Sequence, residues 1–197
     1  MKAFLLDLKT SLLLTAVFVV LLCGVYPLAV WAGAQLCFPA KANGSLIVDR
    51  DGTVRGSALL AQNFSGEKYF QPRPSAAGTG YDAANSSGTN LGPTSQKLAD
   101  SIKAAVAAYR TANGLAADAP VPADAVTSSG SGLDPHISVA NAERQSARVA
   151  RVRAVPLETV RRLVAQHTEG RGLGLLGEPG VNVLLLNLAL DRIPPAK

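Results

Sequence analysis

The first forty residues contain one long apolar stretch, since residues 10–40 include no charged side chain. Residues 11–31 are rich in Leu, Val and Ala, and a helix with a rise of about 1.5 Å per residue needs about 20 such residues to cross a bilayer. The pattern predicts one membrane-spanning helix over residues 11–33. It would separate a short N-terminus, residues 1–10, from a domain formed by residues 34–197.

A cleaved signal peptide is the alternative interpretation, because Ala32, Gly33 and Ala34 resemble a cleavage site. Signal peptides usually have about 7 to 15 apolar residues. This run is longer, and it ends in Tyr26 and Trp31, which suit a membrane interface. The uncleaved anchor is therefore favoured.

The charges on either side of the span predict its orientation. Lys2 and Lys9 precede it, whereas nine uncharged residues separate Trp31 from Lys41. Positive charge near a span tends to stay in the cytoplasm. We therefore expect residues 1–10 to be cytoplasmic and the domain to be external, which in a bacterium is the periplasmic side of the inner membrane.

The first part of the domain has little regular pattern. Asp51-Gly52 lies between the short segments 45–48 and 53–55, which predicts a β-hairpin. Residues 62–93 are rich in Gly, Ser, Pro, Asn and Thr and show neither helical nor strand periodicity. Their aromatic residues argue against disorder, and irregular segments of this length are commonly functional.

Three helices are predicted in the rest of the domain. Thr94 or Ser95 caps the first, which Gly114 ends, while the second begins at Ser138 and the third at Pro156. The apolar positions that recur at helical spacing predict their buried faces. These positions are Leu98, Ile102, Ala105, Val106, Tyr109, Val139, Ala142, Val149, Val152, Leu157, Val160, Leu163 and Val164.

The last apolar block, residues 181–190, has no decisive period. It is compatible with a helix or with a buried strand, and both remain open. Together with the hairpin and the three helices, it predicts a helix-rich α+β fold for the external domain.

Composition excludes several function classes. A net charge of +5 is too small to predict nucleic-acid binding. His136 and His167 are the two histidines, and neither has a carboxylate or cysteine at metal-ligand spacing. No Walker A motif is present. We predict no catalytic residue and no metal site.

A cluster of arginines gives the second predicted helix a basic face. Arg144, Arg148 and Arg151 share one side of this helix. One interpretation is an electrostatic contact with anionic headgroups or an acidic partner. The other is a solvated face, which Glu143 and Glu158 favour because they dilute the positive charge.

The start of the irregular segment mixes aromatic residues, amides and one arginine, which is typical of interface cores. Docking on a partner and folding of the segment on itself are equally open interpretations. The docking candidates are Gln62, Phe64, Tyr69, Phe70 and Arg73. Within the span, Gly24 is the candidate for close packing against a partner helix.

Short motifs follow one another across nearly the whole chain. They are GSALLAQNF at 56–64, YFQPRPS at 69–75, NLGP at 90–93, VPAD at 121–124, SGSGLDP at 129–135, GEPGVNV at 177–183 and LNLALD at 186–191. Together with the N-terminal anchor, they closely resemble the C subunit of the Kdp potassium-transporting P-type ATPase complex.

The resemblance implies a small non-catalytic subunit of a complex that imports potassium. Its partners would be a channel-like potassium-binding subunit and a phosphorylated ATPase subunit, with a small membrane subunit as a further candidate. The chain lacks the DKTGT phosphorylation motif, so catalysis would lie in a partner. No cofactor would be bound firmly by this chain, while ATP and potassium would bind to partner subunits.

The family is also described as a catalytic chaperone that raises the ATP affinity of the ATPase subunit. By position, the resemblance assigns a nucleotide contact to Gln145, with Ser129, Gly130 and Gly132 in the related Ser-Gly stretch. The predicted topology places these residues outside, whereas ATP is cytoplasmic. An indirect effect, through assembly and a shift in pump conformation, is therefore the alternative.

Two other functions are compatible with an anchored external domain. A membrane-anchored envelope hydrolase would need a Ser-His pair with an orienting carboxylate, for which the two histidines lie in poor contexts. A generic anchored binding module would need no catalytic group at all.

Overall fold

The structure is a computed structural model that describes residues 1–49 and 51–193. The chain divides into two compact units, Met1–Arg55 and Gly56–Lys197. The predicted fold class is confirmed, since one apolar helix near the N-terminus is followed by a helix-rich domain with two small sheets.

One long apolar helix forms most of the first unit. It comprises α1 (Lys2–Phe18), a π-helical stretch (Val19–Val25) and α2 (Tyr26–Cys37). The helix is 36 residues long, an 18-residue window within it has a mean hydropathy of 2.5, and it is long and apolar enough to cross a membrane. The wider π-helical stretch ends two residues before Pro27. Proline has no N–H, so Pro27 cannot donate a hydrogen bond to a carbonyl of the preceding turn.

The predicted hairpin is confirmed. After the short helix α3 (Pro39–Ala42), strands β1 (Leu46–Val48) and β2 (Val54–Ser57) form a two-stranded sheet. In the turn, a carboxylate oxygen of Asp51 accepts the N–H of Thr53 at 2.9 Å. Gly52 has a φ of +79°, a left-handed conformation that glycine adopts without steric cost.

In the part of the second unit that the structure describes, four helices combine with a three-stranded antiparallel sheet. Strand β5 lies between β3 and β4, with Val181 opposite both Ile137 and Thr168. The elements in chain order are α4 (Gln96–Asn113), a 3₁₀ turn (Ala123–Ala125), β3 (His136–Ser138), α5 (Val139–Arg153), α6 (Leu157–Gln166), β4 (Thr168–Glu169), β5 (Gly180–Asn182) and α7 (Val183–Asp191).

The helix boundaries agree with the predicted capping residues. The side chain of Ser95 accepts the N–H of Leu98, and Gly114 ends α4 with a φ of +62°. Ser138 caps α5 in the same way as Ser95 caps α4. Pro156 is the residue immediately before α6 and not a residue of its first turn.

The apolar block at 181–190 is both strand and helix. It begins in β5, and Asn182 then caps α7 by accepting the N–H of Leu185 at 3.1 Å. Each open alternative is therefore correct for one part of the block. The change from strand to helix occurs at the single polar residue in its first half.

The core lies between the sheet and helices α5, α6 and α7. It consists of Phe70, Ile137, Ala142, Val149, Ala150, Val160, Val164, Val181, Val183, Leu186 and Leu190. Two predicted core positions of α5 are wrong, because Val139 and Val152 remain 41% and 43% exposed. Polar residues of α5 occupy part of the inward face instead, among them Gln145 and Arg148.

Candidate functional site

Two buried side-chain amides hold residues 62–75, the first part of the irregular segment and hereafter the 62–75 segment, against the domain. The amide of Asn187 in α7 accepts the N–H of Phe70 and donates to its carbonyl, both at 2.9 Å. The amide of Gln145 in α5 accepts the N–H of Gln71 at 2.7 Å and donates to its carbonyl at 3.1 Å. These four bonds satisfy the backbone as a neighbouring strand would.

Arg148 anchors the preceding turn of this segment from inside the core. It is only 2% exposed, and its guanidinium donates to the carbonyls of Glu67 and Tyr69. It also donates to the side-chain oxygens of Asn113 and Gln145, each at 2.9 Å. Burial lowers the pKa of Arg148. The guanidinium nevertheless stays protonated near neutral pH, so the core contains a positive charge surrounded by carbonyl and amide oxygens.

The position of Arg148 corrects the expectation of a three-arginine basic face. Arg144 and Arg151 are exposed, but Arg148 points inward and is available neither to solvent nor to an anionic partner. Helical spacing predicted that all three arginines share one side of the helix. The packing of the 62–75 segment instead buries Arg148 and leaves Arg144 and Arg151 exposed.

The buried polar network continues from Gln145 toward α4 and the 3₁₀ turn. The side-chain oxygen of Asn141 accepts from Gln145 at 2.9 Å and from the hydroxyl of Tyr109 at 2.8 Å. The amide nitrogen of Asn141 donates to Asp124 at 2.9 Å. Burial raises the pKa of Tyr109. The network therefore links α4, α5, the 3₁₀ turn and the irregular segment.

The nucleotide-contact candidates occupy different environments. Gln145 is 1% exposed, and its amide is fully used by Gln71, Asn141 and Arg148. In this conformation it cannot contact a nucleotide, because it has neither accessible surface nor a free donor or acceptor. This finding corrects the role that the resemblance implied for it.

Gly132 is also unsuited to a ligand contact. It is buried and has a φ of +68°, and a Cβ at this position would lie 2.6 Å from the carbonyl oxygen of Ser87. Its own carbonyl accepts the hydroxyl of Ser75 at 2.6 Å. The glycine is therefore needed for a close approach of three chain segments.

The other two candidates, Ser129 and Gly130, line an open cleft with Arg73. The guanidinium of Arg73 contacts Asp134 at 3.0 Å and the carbonyl of Ser128 at 3.3 Å. The cleft has a volume of about 630 Å³. Its lining residues are Leu59, Leu60, Arg73, Ser86, Ser129, Gly130, Ser131, Leu133, Asp134 and Pro135.

Asp134 connects this cleft to His136 and the sheet. The backbone N–H of His136 donates to Asp134 at 3.0 Å, and its ring Nδ1 lies 3.6 Å from the same carboxylate. Its Nε2 lies 3.3 Å from Glu169 of β4. The carboxylate of Asp134 beside the ring raises the pKa of His136, and the same contact lowers the pKa of Asp134. The arrangement is an ion-pair chain that runs from Arg73 through Asp134 and His136 to Glu169, and so from the loop before β3 to strand β4.

Neither histidine is arranged as a general base for a serine. The Nδ1 of His167 contacts the carbonyl of Leu163 at 2.9 Å, and the ring of His136 lies between two carboxylates. Within residues 1–49 and 51–193, no serine hydroxyl is hydrogen-bonded to either ring, and no group of three His, Cys, Asp or Glu side chains is placed to hold a metal.

The predicted docking residues divide into core and surface. Phe70 has no exposed area and belongs to the hydrophobic core, so its assignment to a docking surface is wrong. Phe64 and Tyr69 are half-buried, with ring centroids 5.4 Å apart. Gln62 and Arg73 are also half-buried. Docking through these four residues stays a prediction.

Tyr69 is held in place by α5 and α7. Its hydroxyl donates to Asp191 at 3.0 Å, and the guanidinium of Arg153 lies 5.0 Å from the ring centroid. Arg153 also contacts Asp191 at 2.8 Å. The aromatic part of the segment therefore folds on its own domain, as one of the two open interpretations expected.

Asn187 is a site residue that the sequence prediction omitted. It is fully buried and pairs with both backbone groups of Phe70. A signal was present in the sequence, because Asn187 is an amide inside the apolar run 183–190. Such a residue must find hydrogen-bond partners if it is buried.

Comparisons with known proteins give a consistent result. The family described as KdpC, K+-transporting ATPase, c chain, matches residues 8–192. The chain is 56% identical to the potassium-transporting ATPase KdpC subunit of Mycobacterium tuberculosis strain H37Rv, over 95% of this chain and 98% of that protein.

Two relatives from other bacteria are equally similar. The protein of the same name from Koribacter versatilis is 55% identical over 96% of both chains. The one from Rhodospirillum rubrum is 56% identical over 96% of this chain and 97% of its own. The family match includes most of the apolar helix, the 62–75 segment and every helix and strand of the second unit, and the chain therefore belongs to the KdpC family of K+-transporting ATPase c chains.

Proposed function

We propose that this chain is the non-catalytic accessory subunit of an ATP-driven potassium import complex. The family match over residues 8–192 carries the proposal, because it covers the predicted membrane span, residues 11–33, and every helix and strand of the second unit. The absence of a DKTGT motif from the sequence supports a division of labour in which a partner subunit hydrolyses ATP. Potassium binds to another partner.

The accessory role is to assemble and stabilise the complex. The half-exposed side chains of Phe64, Tyr69 and Arg73 supply docking contacts for a partner, and the cleft beside Arg73 extends this surface. The buried amides of Gln145 and Asn187 support the role, because they hold the segment in one conformation before it binds. A surface ordered in advance loses less conformational entropy on association.

The effect on ATP affinity is indirect. Gln145 is committed to the 62–75 segment, which supports a mechanism without a nucleotide contact. A subunit that binds one pump conformation more tightly than another shifts the population toward it and changes the apparent ATP affinity. Removal of this chain from the complex should therefore weaken apparent ATP binding by the pump subunit.

Mass spectrometry of the complex tests the assembly role. The tagged full-length chain, co-expressed with its neighbours and extracted in mild detergent, should retain an ATPase subunit and a potassium-binding subunit. Arg73→Ala should reduce the recovered complex, because truncation of an interface arginine can cost about 2 kcal/mol, or about thirtyfold in affinity. Arg144→Ala, at an exposed position of α5, is the control.

Thermal unfolding of both variants separates docking from folding. A chain that is purified alone, or an Arg73→Ala variant that assembles normally, would contradict the docking role. An Arg73→Ala variant that unfolds at a much lower temperature would show that its contact with Asp134 stabilises the fold and not the interface.

The location belongs to the same proposal, with the domain on the periplasmic side of the inner membrane. The charges around the apolar helix support this orientation. Protease added outside spheroplasts should cleave the chain at Lys41 and beyond. Protection of the domain until the membrane is broken would reverse the orientation and would place the domain on the same side as ATP.

A further inference from the structure

The hairpin of strands β1 and β2 has one apolar face. The N–H of Asp49 donates to the carbonyl of Thr53 at 2.9 Å and closes the hairpin. This register places Val48 opposite Val54 on one side of the sheet, and Leu46, two residues before Val48, on the same side. These three side chains, the apolar hairpin face, are 55% (Leu46), 54% (Val48) and 54% (Val54) exposed. Large apolar side chains gathered at one point of a surface are typical of an interaction site.

The other face of the hairpin is charged. The guanidinium of Arg55 lies 3.2 Å from the carboxylate of Asp49 and 3.1 Å from that of Asp51. Arg55 directly follows Val54, and Asp49 directly follows Val48. Neighbouring side chains of a strand point to opposite faces, so these charges lie away from the apolar hairpin face. Segments that lie in the plane of a membrane interface have the same division into an apolar and a charged side.

Two side-chain amides tie the start of the hairpin to the end of the apolar helix. The amide nitrogen of Asn43 donates to Gln35 of α2 at 3.1 Å, and Gln35 donates back to Asn43 at 3.3 Å. The N–H of Ser45 donates to the carbonyl of Ala40 at 2.9 Å. Strand β1 begins at the next residue, so the hairpin starts beside the last turn of α2. Helix and hairpin turn belong to the same compact unit.

The length of the apolar helix indicates the level of the hairpin in a membrane. The helix has no charged residue from Thr10 to its end at Cys37. This part is about 42 Å long at a rise of about 1.5 Å per residue, and a bilayer with its headgroup layers is about 40 to 45 Å thick. Gln35 therefore lies in the headgroup layer. Because Asn43 folds back to Gln35, the hairpin starts at that level as well.

Exposed apolar side chains also surround the end of the helix. Trp31, Leu36 and Phe38 are 61%, 85% and 61% exposed. Aromatic residues are enriched where a span meets the headgroups. The apolar hairpin face therefore continues a surface that already suits the membrane interface.

We propose that the apolar hairpin face lies on the bilayer and inserts into the headgroup and upper acyl region beside the membrane helix. Lipid is the occupant because the bonds between Gln35 and Asn43 hold the hairpin at the headgroup layer, where its charged face can remain in water. A second contact with the interface would restrict the tilt of a single helix. This inference goes beyond the proposed function, because it requires a membrane-spanning helix but no partner subunit.

Depth-dependent fluorescence quenching tests the proposal with the full-length chain in phosphatidylcholine vesicles. Trp31 is the single tryptophan, so Trp31→Phe gives a background for Val48→Trp. Lipids brominated near the headgroup should quench this tryptophan more strongly than lipids brominated near the chain ends. Thr53→Trp, which precedes Val54 and lies on the charged face, is the matched control and should be quenched at least about twofold less.

A second test position protects this measurement against a local effect of one substitution. Val54→Trp should be quenched like Val48→Trp, and circular dichroism should show that all three variants keep the wild-type helix content. Equal quenching at Thr53 and at the two valine positions would overturn the proposal. So would the absence of quenching at both valine positions, which would show that the hairpin stands clear of the bilayer.

Photo-crosslinking identifies the occupant in native membranes that contain the whole complex. A benzoylphenylalanine at Leu46 should form adducts with phospholipid, and the same group at Thr53 should form fewer. Adducts of Leu46 only with another subunit or with a second copy of this chain, or no adduct at all, would overturn the proposal. The vesicles contain this chain alone, so their result does not depend on whether the proposed function holds.

Discussion

The guanidinium of Arg148 is a buried charge whose partners are oxygens of amides and backbone carbonyls. Removing one member of such a buried network leaves the others without a hydrogen bond, which costs about 1 to 3 kcal/mol for each group. Arg148→Met should therefore lower the free energy of unfolding by at least about 2 kcal/mol.

Thermal unfolding of the purified chain in detergent, followed by circular dichroism, measures this effect. Arg144→Met on the same helix is the matched control and should change the free energy of unfolding by less than about 0.5 kcal/mol, since this side chain is exposed. An equal effect of the two substitutions would show that the buried hydrogen bonds contribute little.

His136 should make the stability of the domain depend on pH. Its pKa is raised in the folded chain, first by Asp134 and then by Glu169. A raised folded-state pKa gives a stabilisation that is complete below the ordinary value of about 6.5 and is lost as the pH rises through the folded value.

The difference in melting temperature between the wild type and His136→Gln should therefore be larger at about pH 5.5 than at about pH 8. The pKa of Asp134 is lowered, so its carboxylate remains ionised at both values and does not produce this change. Glu169→Gln should reduce the dependence on pH. A difference that is constant with pH would exclude the ion-pair chain as a contributor to stability.

At the level of secondary-structure elements, the 62–75 segment behaves as a strand whose partners are side chains. Asn187 and Gln145 pair with Phe70 and Gln71 in place of a neighbouring backbone. The segment has no strand periodicity because its pairing does not depend on an alternating pattern. Its anchor, Phe70, lies in the hydrophobic core together with residues of α5 and α7.

Loss of either amide should release this segment. Gln145→Leu or Asn187→Leu should accelerate tryptic cleavage after Lys68, because about 1 to 3 kcal/mol of hydrogen bonding that holds the chain would be lost. Limited proteolysis with mass spectrometry locates the cuts. Gln166→Leu, at an exposed amide of α6, is the control and should cleave at the wild-type rate. Unchanged cleavage in both test variants would show that apolar contacts alone hold the segment.

At the level of the whole molecule, Gly24 is the residue that tests association within the membrane. It lies in the π-helical stretch, and a Cβ built on it meets nothing within 4 Å. A larger side chain is therefore compatible with the chain itself, so any effect of it must involve a neighbour. Close helix packing in lipid favours small residues at the contact.

Gly24→Leu should reduce the co-purification of partner subunits while the helix content of the chain is unchanged. Gly33→Leu is the matched control, because a Cβ at Gly33 also meets nothing within 4 Å. Recovery of partner subunits at the wild-type level with Gly24→Leu would place the main interface outside the membrane helix.

The sequence by itself determined the elements whose signals are local. The apolar helix follows from a charge-free run, the hairpin from Asp51-Gly52, the limits of α4 from Thr94 or Ser95 and from Gly114, and the start of α5 from Ser138. Each depends on backbone conformation, on caps or on transfer into lipid, and these depend on neighbours within a few residues. The family motifs were also visible without a structure.

The tertiary structure alone decided which polar residues are internal. Arg148 and Arg144 lie on the same helix and look alike in the sequence, yet one is buried by the 62–75 segment and the other is exposed. The polar side chain of Gln145 is likewise buried because it meets Gln71, a residue far away in the chain. The apolar Phe70 is buried where its backbone meets Asn187. The physical reason is that burial of a polar group depends on whether distant donors and acceptors meet it, and this requires the packed fold.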